Sequence, residues 1–254
     1  MSDAYVISQI TGGDTAVPLT MEKRLRVLDR YLASASASGR FLDCGCGSGS
    51  YVLAIHERFG LDAHGMDYMA DKITVGRAKP GLADRITQGD LQAIPLPSAS
   101  WDYAMLNEVM EHLPDDRKAL GEIHRILKPG GLLFVFSPNR WFPFETHSVR
   151  FKSSGRLVPN WVPFVPYIPL RLGMKLFRYS ARNYWQAQLE GKLADAGFHI
   201  LERTFVWLTF EGGSGQLPSV LKALRPILRG VSNTLEKTPF LRRFGLSQAF
   251  VCRK

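Results

Sequence analysis

Phe41-Leu42-Asp43-Cys44-Gly45-Cys46-Gly47-Ser48-Gly49 is the stretch that decides the fold. Arg40–Asp43 reads as a short buried strand, the three glycines as a turn, and a helix starts near Ser50. Glycines at alternate positions let the backbone pass very close to a ligand, because no Cβ stands in the way. The helix N-terminus that follows offers free N–H groups and a partial positive charge. Such a turn suits a nucleotide-like cofactor carrying a carboxylate or a phosphate.

Outward from this turn, helices and strands alternate. Thr20 can cap a helix with Leu25, Leu28 and Leu32 on one face, ended by the Ser/Ala/Gly run Ser34 to Gly39. Val52, Ile55 and Phe59 form the stripe of the next helix, closed by Gly60. A second strand runs into Gly65-Met66-Asp67, a third (Arg85–Thr87) precedes Gly89-Asp90, and a fourth is Asp102–Leu106. Asp115 or Asp116 opens a helix carrying Leu120, Ile123 and Leu127, which Lys128-Pro129-Gly130-Gly131 stops. Strand five, Leu132–Phe136, is continuously apolar, as a strand covered on both faces should be. The alternation implies a parallel sheet with helices on both sides. Ligands of such sheets bind beyond the carboxyl ends of the strands. Gly45, Asp67, Asp90 and Asn107 all fall at expected strand ends.

After Asn139 the pattern changes. Residues 140–181 are rich in proline, aromatic and basic residues with little periodicity. A helix resumes over Tyr184–Ala196 with Trp185, Leu189, Leu193 and Ala196 on one side, and Phe198–Leu208 is strand-like. Residues 211–245 read as a second irregular insertion, basic and broken by Pro and Gly, before a last strand at Gln248–Cys252.

The spacing Gly45-x-Gly47-x-Gly49 is not the G-x-G-x-x-G of dinucleotide sites. Asp67 can accept both hydroxyls of a ribose, or serve as a helix cap. Asp90 can accept from an adenine amino group, or serve as a turn aspartate. Taken with Asp43, Asn107-Glu108-Val109-Met110-Glu111-His112 and Leu127-Lys128-Pro129-Gly130-Gly131, these residues resemble the class I S-adenosylmethionine-dependent methyltransferases. The nearest group is the one that contains the quinone-biosynthesis methyltransferases. The resemblance covers residues 36–139, and more loosely 184–208. It implies an α/β fold: a Rossmann-like, doubly wound, seven-stranded sheet with the last strand antiparallel, plus a basic aromatic cap insertion. Residues 1–254 would form one methyltransferase domain. Its cofactor-binding core would be 20–139, completed by 182–210 and 246–254; the insertions would be a substrate cap at 140–181 and a second segment at 211–245. The cofactor implied is S-adenosyl-L-methionine. Asp43 and the turn of Gly45, Gly47 and Gly49 would cradle its methionine part, and Asp67 would hold the ribose. Asp90 and Leu91 would meet the adenine edge, with Met66 and Tyr68 on its face, and Asn107 the rim near the methionine.

Methyl transfer requires alignment of a nucleophile and exclusion of water. A hydroxyl or phenol acceptor also needs a base with a pKa near the working pH, which favours histidine. His112 follows strand four, and His147 follows strand five in Trp141-Phe142-Pro143-Phe144-Glu145-Thr146-His147. Both are candidate catalytic residues, each weighed against a structural role. Glu108-x-x-Glu111-His112 is also similar to the metal-binding E-x-x-E-H of small-RNA 2′-O-methyltransferases, and His147 would complete such a set. The sequence leaves open whether any metal binds.

The chain carries net charge +9, divided into −2 over residues 1–140 and +11 over 141–254. Residues 146–189 contain no acid at all. Beside the aromatics Trp141, Phe144, Trp161, Phe164 and Tyr167 stand Arg150, Lys152, Arg171, Lys175 and Arg178, and Leu221–Arg229 adds further basic charge. Either this is a solvated basic surface, or a face that meets an anionic partner. The three cysteines, Cys44, Cys46 and Cys252, form no disulfide framework and fit a reducing compartment. No signal peptide is read in the first twenty residues, and Trp161–Leu170 is too short and too proline-broken to span a bilayer. The expectation is therefore a cytoplasmic enzyme, peripheral at a membrane, methylating a small lipophilic acceptor such as a quinone precursor. The alternatives are an RNA methyltransferase, disfavoured because bulky apolar residues and prolines interrupt the basic ones, and a non-catalytic cofactor-binding assembly protein.

Overall fold

The computed structural model describes residues 18–33, 39–210 and 224–254. The N-terminal residues 1–17, the run 34–38 and the stretch 211–223, with Leu221, Lys222 and Ala223, lie outside the described residues.

Seven strands form one sheet in the order β3-β2-β1-β4-β5-β9-β8. They are β1 (Arg40–Cys44), β2 (Asp62–Asp67), β3 (Ile86–Gln88), β4 (Trp101–Asn107), β5 (Leu127–Pro138), β8 (His199–Val206) and β9 (Ser247–Arg253). The first five pair in parallel, whereas β9 lies antiparallel between β5 and β8. Chain order reverses direction at β1, with β2 on one side and β4 on the other. That is the switch point where parallel sheets bind ligands.

Alternation of side chains builds two separate cores. Phe41, Met105, Phe134 and Phe136 face α1 (Pro18–Leu32), α2 (Ser50–Phe59) and α3 (Ala70–Arg77), where they meet Leu28, Ile55 and Ile73. Leu42, Cys44, Leu133 and Val135 point the other way, onto Leu120 and Ile123 of α4 (Asp116–Ile126) and Leu189 and Leu193 of α6 (Gln186–Asp195). Both faces are thus covered, and β5 is buried along nearly all its length.

Several local expectations shift. The first helix begins by Pro18, so Thr20 lies inside it and its hydroxyl pairs with that of Thr209 at 3.0 Å. Asp115 is the N-cap of α4, accepting the Lys118 N–H at 3.0 Å. β5 starts at Leu127, opposite Trp101, so Lys128–Gly131 belongs to an irregular strand opening rather than only to a helix stop.

Between β5 and α6 the chain forms a small two-stranded antiparallel sheet, β6 (Val149–Phe151) with β7 (Phe177–Tyr179), and a short helix α5 (Leu170–Leu176). Its own core is Val149, Val158, Val165 and Phe177. Most of its aromatics do not fill that core: Trp161 is 76 % exposed and Phe164 59 %. The later stretch is more regular than its prolines suggest. Helix α7 runs Arg225–Lys237 with Pro226 in its first turn, where a missing N–H costs nothing. Among the described residues, no helix is long and apolar enough to cross a membrane.

Candidate active site

The carboxyl ends of β1, β2 and β4 converge at the glycine turn. Gly45, Gly47 and Gly49 all have positive φ (88°, 54° and 82°), which the turn requires and an L side chain rarely adopts. The reason for glycine at Gly45 is also internal. A Cβ there would come within 2.3 Å of the Val109 side chain, so the loop after β4 packs directly on the turn. The Met66 carbonyl accepts the N–H groups of Gly45 and Cys46 at 2.7 and 3.1 Å. The Asp67 carboxylate accepts those of Gly47 and Met69, both at 2.8 Å. Asp67 therefore braces the turn with one oxygen and the loop before α3 with the other; each oxygen keeps a second lone pair for a ligand hydroxyl.

The other strand ends divide. Asp43 is buried. Asp90 accepts the Gln92 backbone N–H at 2.9 Å, so it acts as the turn aspartate. Leu91 is a core residue, leaving its backbone as what it offers a ligand. Met66 corrects an expectation: its side chain is 2 % exposed and fills the space against Gly89, so it belongs to the core rather than to a ring-binding face. Tyr68, 74 % exposed, remains free to play that part. The buried Oδ1 of Asn107 has no hydrogen-bond partner. Cys44, Cys46 and Cys252 are buried free thiols, each pushed up from its ordinary pKa by burial.

Past Asn107 the chain turns sharply. Glu108 takes a left-handed conformation (φ 56°), held by Arg24 at 2.7 Å and the Ser247 hydroxyl at 2.5 Å. Arg24 was not expected here. It is a cation on the apolar face of α1; burial opposes its charge, and the Glu108 carboxylate together with Tyr51 and Glu111 overcomes that and keeps the guanidinium protonated. The one sequence signal was an arginine beside Leu25 and Leu28 on that face.

A single 3₁₀ turn (Met110–His112) then delivers Glu111 and His112. His147 arrives from the segment after β5, and its ring meets that of His112 edge-on with centroids 5.0 Å apart. The Glu111 Oε1 atom lies 3.9 Å from Nε2 of each histidine. At that distance none of these is a hydrogen bond. Burial lifts the Glu111 carboxyl well above its usual range, and the neighbouring Glu108 charge lifts it further. Burial pushes His112 down to about 4, helped by His147, and burial alone does the same to His147. The two histidines are thus neutral at pH 7, so the close approach of Glu111 to them is not a salt bridge. Glu145 supports His147: its buried carboxylate accepts the N–H groups of Thr146 and His147 and the Asn183 amide. Glu108 neighbours Glu111, and its Oε1 is engaged with Arg24 and Ser247. A cavity of about 550 Å³, lined by Asp116, Arg140, Ile168, Tyr179 and Lys192 among others, includes neither the glycine turn nor the two histidines.

Residues 42–135 match a family model described as a methyltransferase domain. The chain is 34 % identical over 135 residues to a probable S-adenosylmethionine-dependent methyltransferase of Mycolicibacterium smegmatis; the match spans 52 % of this chain and only about half (52 %) of that relative. A demethylmenaquinone methyltransferase of Staphylococcus epidermidis is 32 % identical over 180 residues, covering 65 % of this chain and 70 % of the relative. The chain belongs to the S-adenosylmethionine-dependent methyltransferases. A solved methyltransferase of this kind from Mesorhizobium loti shares the fold, with a TM-score of 0.58 over 92 % of this chain and 98 % of its own at 18 % identity.

The residues at the turn fit the cofactor of this methyltransferase family, S-adenosylmethionine. The turn keeps bare backbone at three positive-φ glycines, and α2 starts with no side chain capping it. Asn107 adds a buried oxygen without a partner, and Asp67 adds a carboxylate at the end of the neighbouring strand. A ligand rich in hydroxyl, ammonium and carboxylate groups matches that donor set.

Proposed function

We propose that this methyltransferase acts on a lipophilic small molecule, such as a quinone precursor or another lipid-like acceptor, at an anionic membrane surface. The observation that carries the reading is the contact of Val109 with Gly45. The loop that carries Val109 packs on the glycine turn and goes on to deliver Glu111 and His112, where the His147 ring meets them. In this reading Asp43, Gly45, Gly47 and Gly49 cradle the methionine part of the cofactor. Asp67 holds the ribose, Asp90 and Leu91 border the adenine, and Asn107 the rim. S-adenosylmethionine, when bound, supplies a methyl group already activated on its sulfonium. The chain's own residues must align the acceptor oxygen, exclude water and favour loss of its proton. His147 and His112 are the catalytic residues for that last task, and residues 140–181 form the substrate cap.

The menaquinone-related name of the Staphylococcus epidermidis relative supports a quinone-like acceptor. Exposed Trp161, Phe164, Leu172 and Leu176 beside exposed Arg171, Lys175 and Arg178 support a membrane-facing cap. The chain should co-sediment with anionic but not neutral liposomes. Reversing Arg171, Lys175 and Arg178 to Glu should reduce that binding without changing cofactor affinity. Incubation with methyl-labelled cofactor and separate lipid and RNA fractions tests the acceptor class. Label should enter the lipid fraction; label in RNA alone would replace this reading with the nucleic-acid one, and label in neither despite cofactor binding would favour a non-catalytic protein.

A further inference from the structure

Glu111, His112 and His147 present three ligating atoms within 4.8 Å of one another. The Glu111 side chain has no solvent exposure, and neither of its oxygens has a hydrogen-bond partner. A carboxyl group left in that state needs an explanation, because buried polar groups are almost always paired. The two histidines do not provide it, since their Nε2 atoms stand 3.9 Å from Oε1.

We propose that Glu111, His112 and His147 form a binding site for a divalent transition-metal ion. Zinc bonds of about 2.0–2.1 Å in a tetrahedron place the ligand atoms roughly 3.3 Å apart. The three atoms stand within 4.8 Å of one another, with Glu111 Oε1 3.9 Å from each Nε2, so ligation requires the side chains to close in by about 1 Å. Two imidazoles and one carboxylate are also the ligand number and type of catalytic metal sites, which keep a position open. The surroundings suit ligation. Thr146 Oγ1 lies 3.1 Å from His147 Nδ1 and orients that ring with Nε2 toward Glu111. The Arg182 N–H donates to the Glu111 carbonyl at 3.1 Å and fixes the turn that carries two of the ligands. His112 and His147 each retain partial exposure, so the open position is reachable. Glu108 is not one of the three, and its Oε1 is already taken by Arg24 and Ser247. The site deepens the catalytic reading of the two histidines and rests on it only for the acceptor: an acceptor oxygen would take the open position.

Cobalt(II) serves as the probe, added to the full chain after chelator treatment and dialysis, with neither cofactor nor acceptor present. Visible absorption and calorimetry should show one ion per chain. Glu111→Gln and His147→Gln, each confirmed folded by circular dichroism and by S-adenosylmethionine binding, should weaken binding by more than the roughly 10–100-fold that loss of an outer-shell partner costs. His64→Gln, at a histidine paired with Asp62 away from the trio, should leave it unchanged. Absence of one-to-one binding overturns the proposal, as does equal binding by wild type and both variants. Cobalt bound at the trio of a chain that labels no lipid would break the acceptor reading and leave the metal site standing.

Discussion

Around the glycine turn, the supports are local to the first half of the chain. Asp67 takes the N–H groups of Gly47 and Met69, and the Met66 carbonyl takes those of Gly45 and Cys46. Around the histidines most supports come from far along the chain: Asn183 for Glu145, which accepts the His147 N–H, Arg182 for Glu111, and Arg24 and Ser247 for Glu108. The first region is fixed by hydrogen bonds between neighbouring strand ends. The second depends on α1, the segment after β5 and the last strand all being in place. The cofactor half should therefore tolerate changes in the acceptor half, and the reverse should hold less well.

The largest effect expected from a single side chain lies in the second region. His147→Ala should lower turnover by about 10²–10⁴-fold, as loss of a proton-handling group does. Steady-state rates on a labelled acceptor measure it, and an unchanged rate would leave His147 as a packing residue. Next comes Arg24→Met. It leaves the Glu108 carboxylate with the Ser247 hydroxyl but without its cation. Breaking a well-buried pair costs about 3–5 kcal/mol, and the partial exposure of Glu108 should bring the loss to the lower end. Urea denaturation checks it; a loss below about 1 kcal/mol would show that the latch is a surface pair.

Smaller still is a matched pair of glycine substitutions. Gly155→Ala, in the turn after β6, has positive φ but no atom within 4 Å of the added Cβ, so backbone strain of about 1–2 kcal/mol is all it should show. Gly45→Ala has the same strain plus a collision with Val109, which adds about 1–3 kcal/mol. Equal unfolding midpoints for the two would mean that Val109 yields freely and that the two halves are not coupled at that contact.

The sheet was legible because each parallel strand ended in a residue that interrupts its apolar run: Gly45, Asp67, Asp90 and Asn107. Covered on both faces, β5 announced itself by continuous apolar character. Less legible was α7, since Pro226 reads as a breaker when its place in the first turn is unknown. Met66 was misread because alternation along β2 turns its side chain into the core, beneath Gly89. The meeting of His112 and His147 at Glu111 was suggested only by the likeness of Glu108-x-x-Glu111-His112 to a metal-binding string; 35 positions of chain separate the two histidines, and no periodic pattern encodes such a loop contact. Arg24 and Ser247 lie farther still from Glu108. The motif string also suggested Glu108 as a partner of Glu111; the two are neighbours, and the salt bridge from Glu108 to Arg24 is what the string did not show.

The division between the two regions is tested most directly by titrating Asp67→Ala and His147→Ala with S-adenosylmethionine in one calorimetric experiment. Asp67→Ala removes the brace on Gly47 and the carboxylate that meets the ribose, a charged hydrogen-bonding loss of about 1.5–3 kcal/mol. Its affinity should fall by roughly tenfold to a hundredfold, while His147→Ala should bind as wild type does. Unchanged affinity in a folded Asp67→Ala protein, or an equal loss in both variants, would contradict the account.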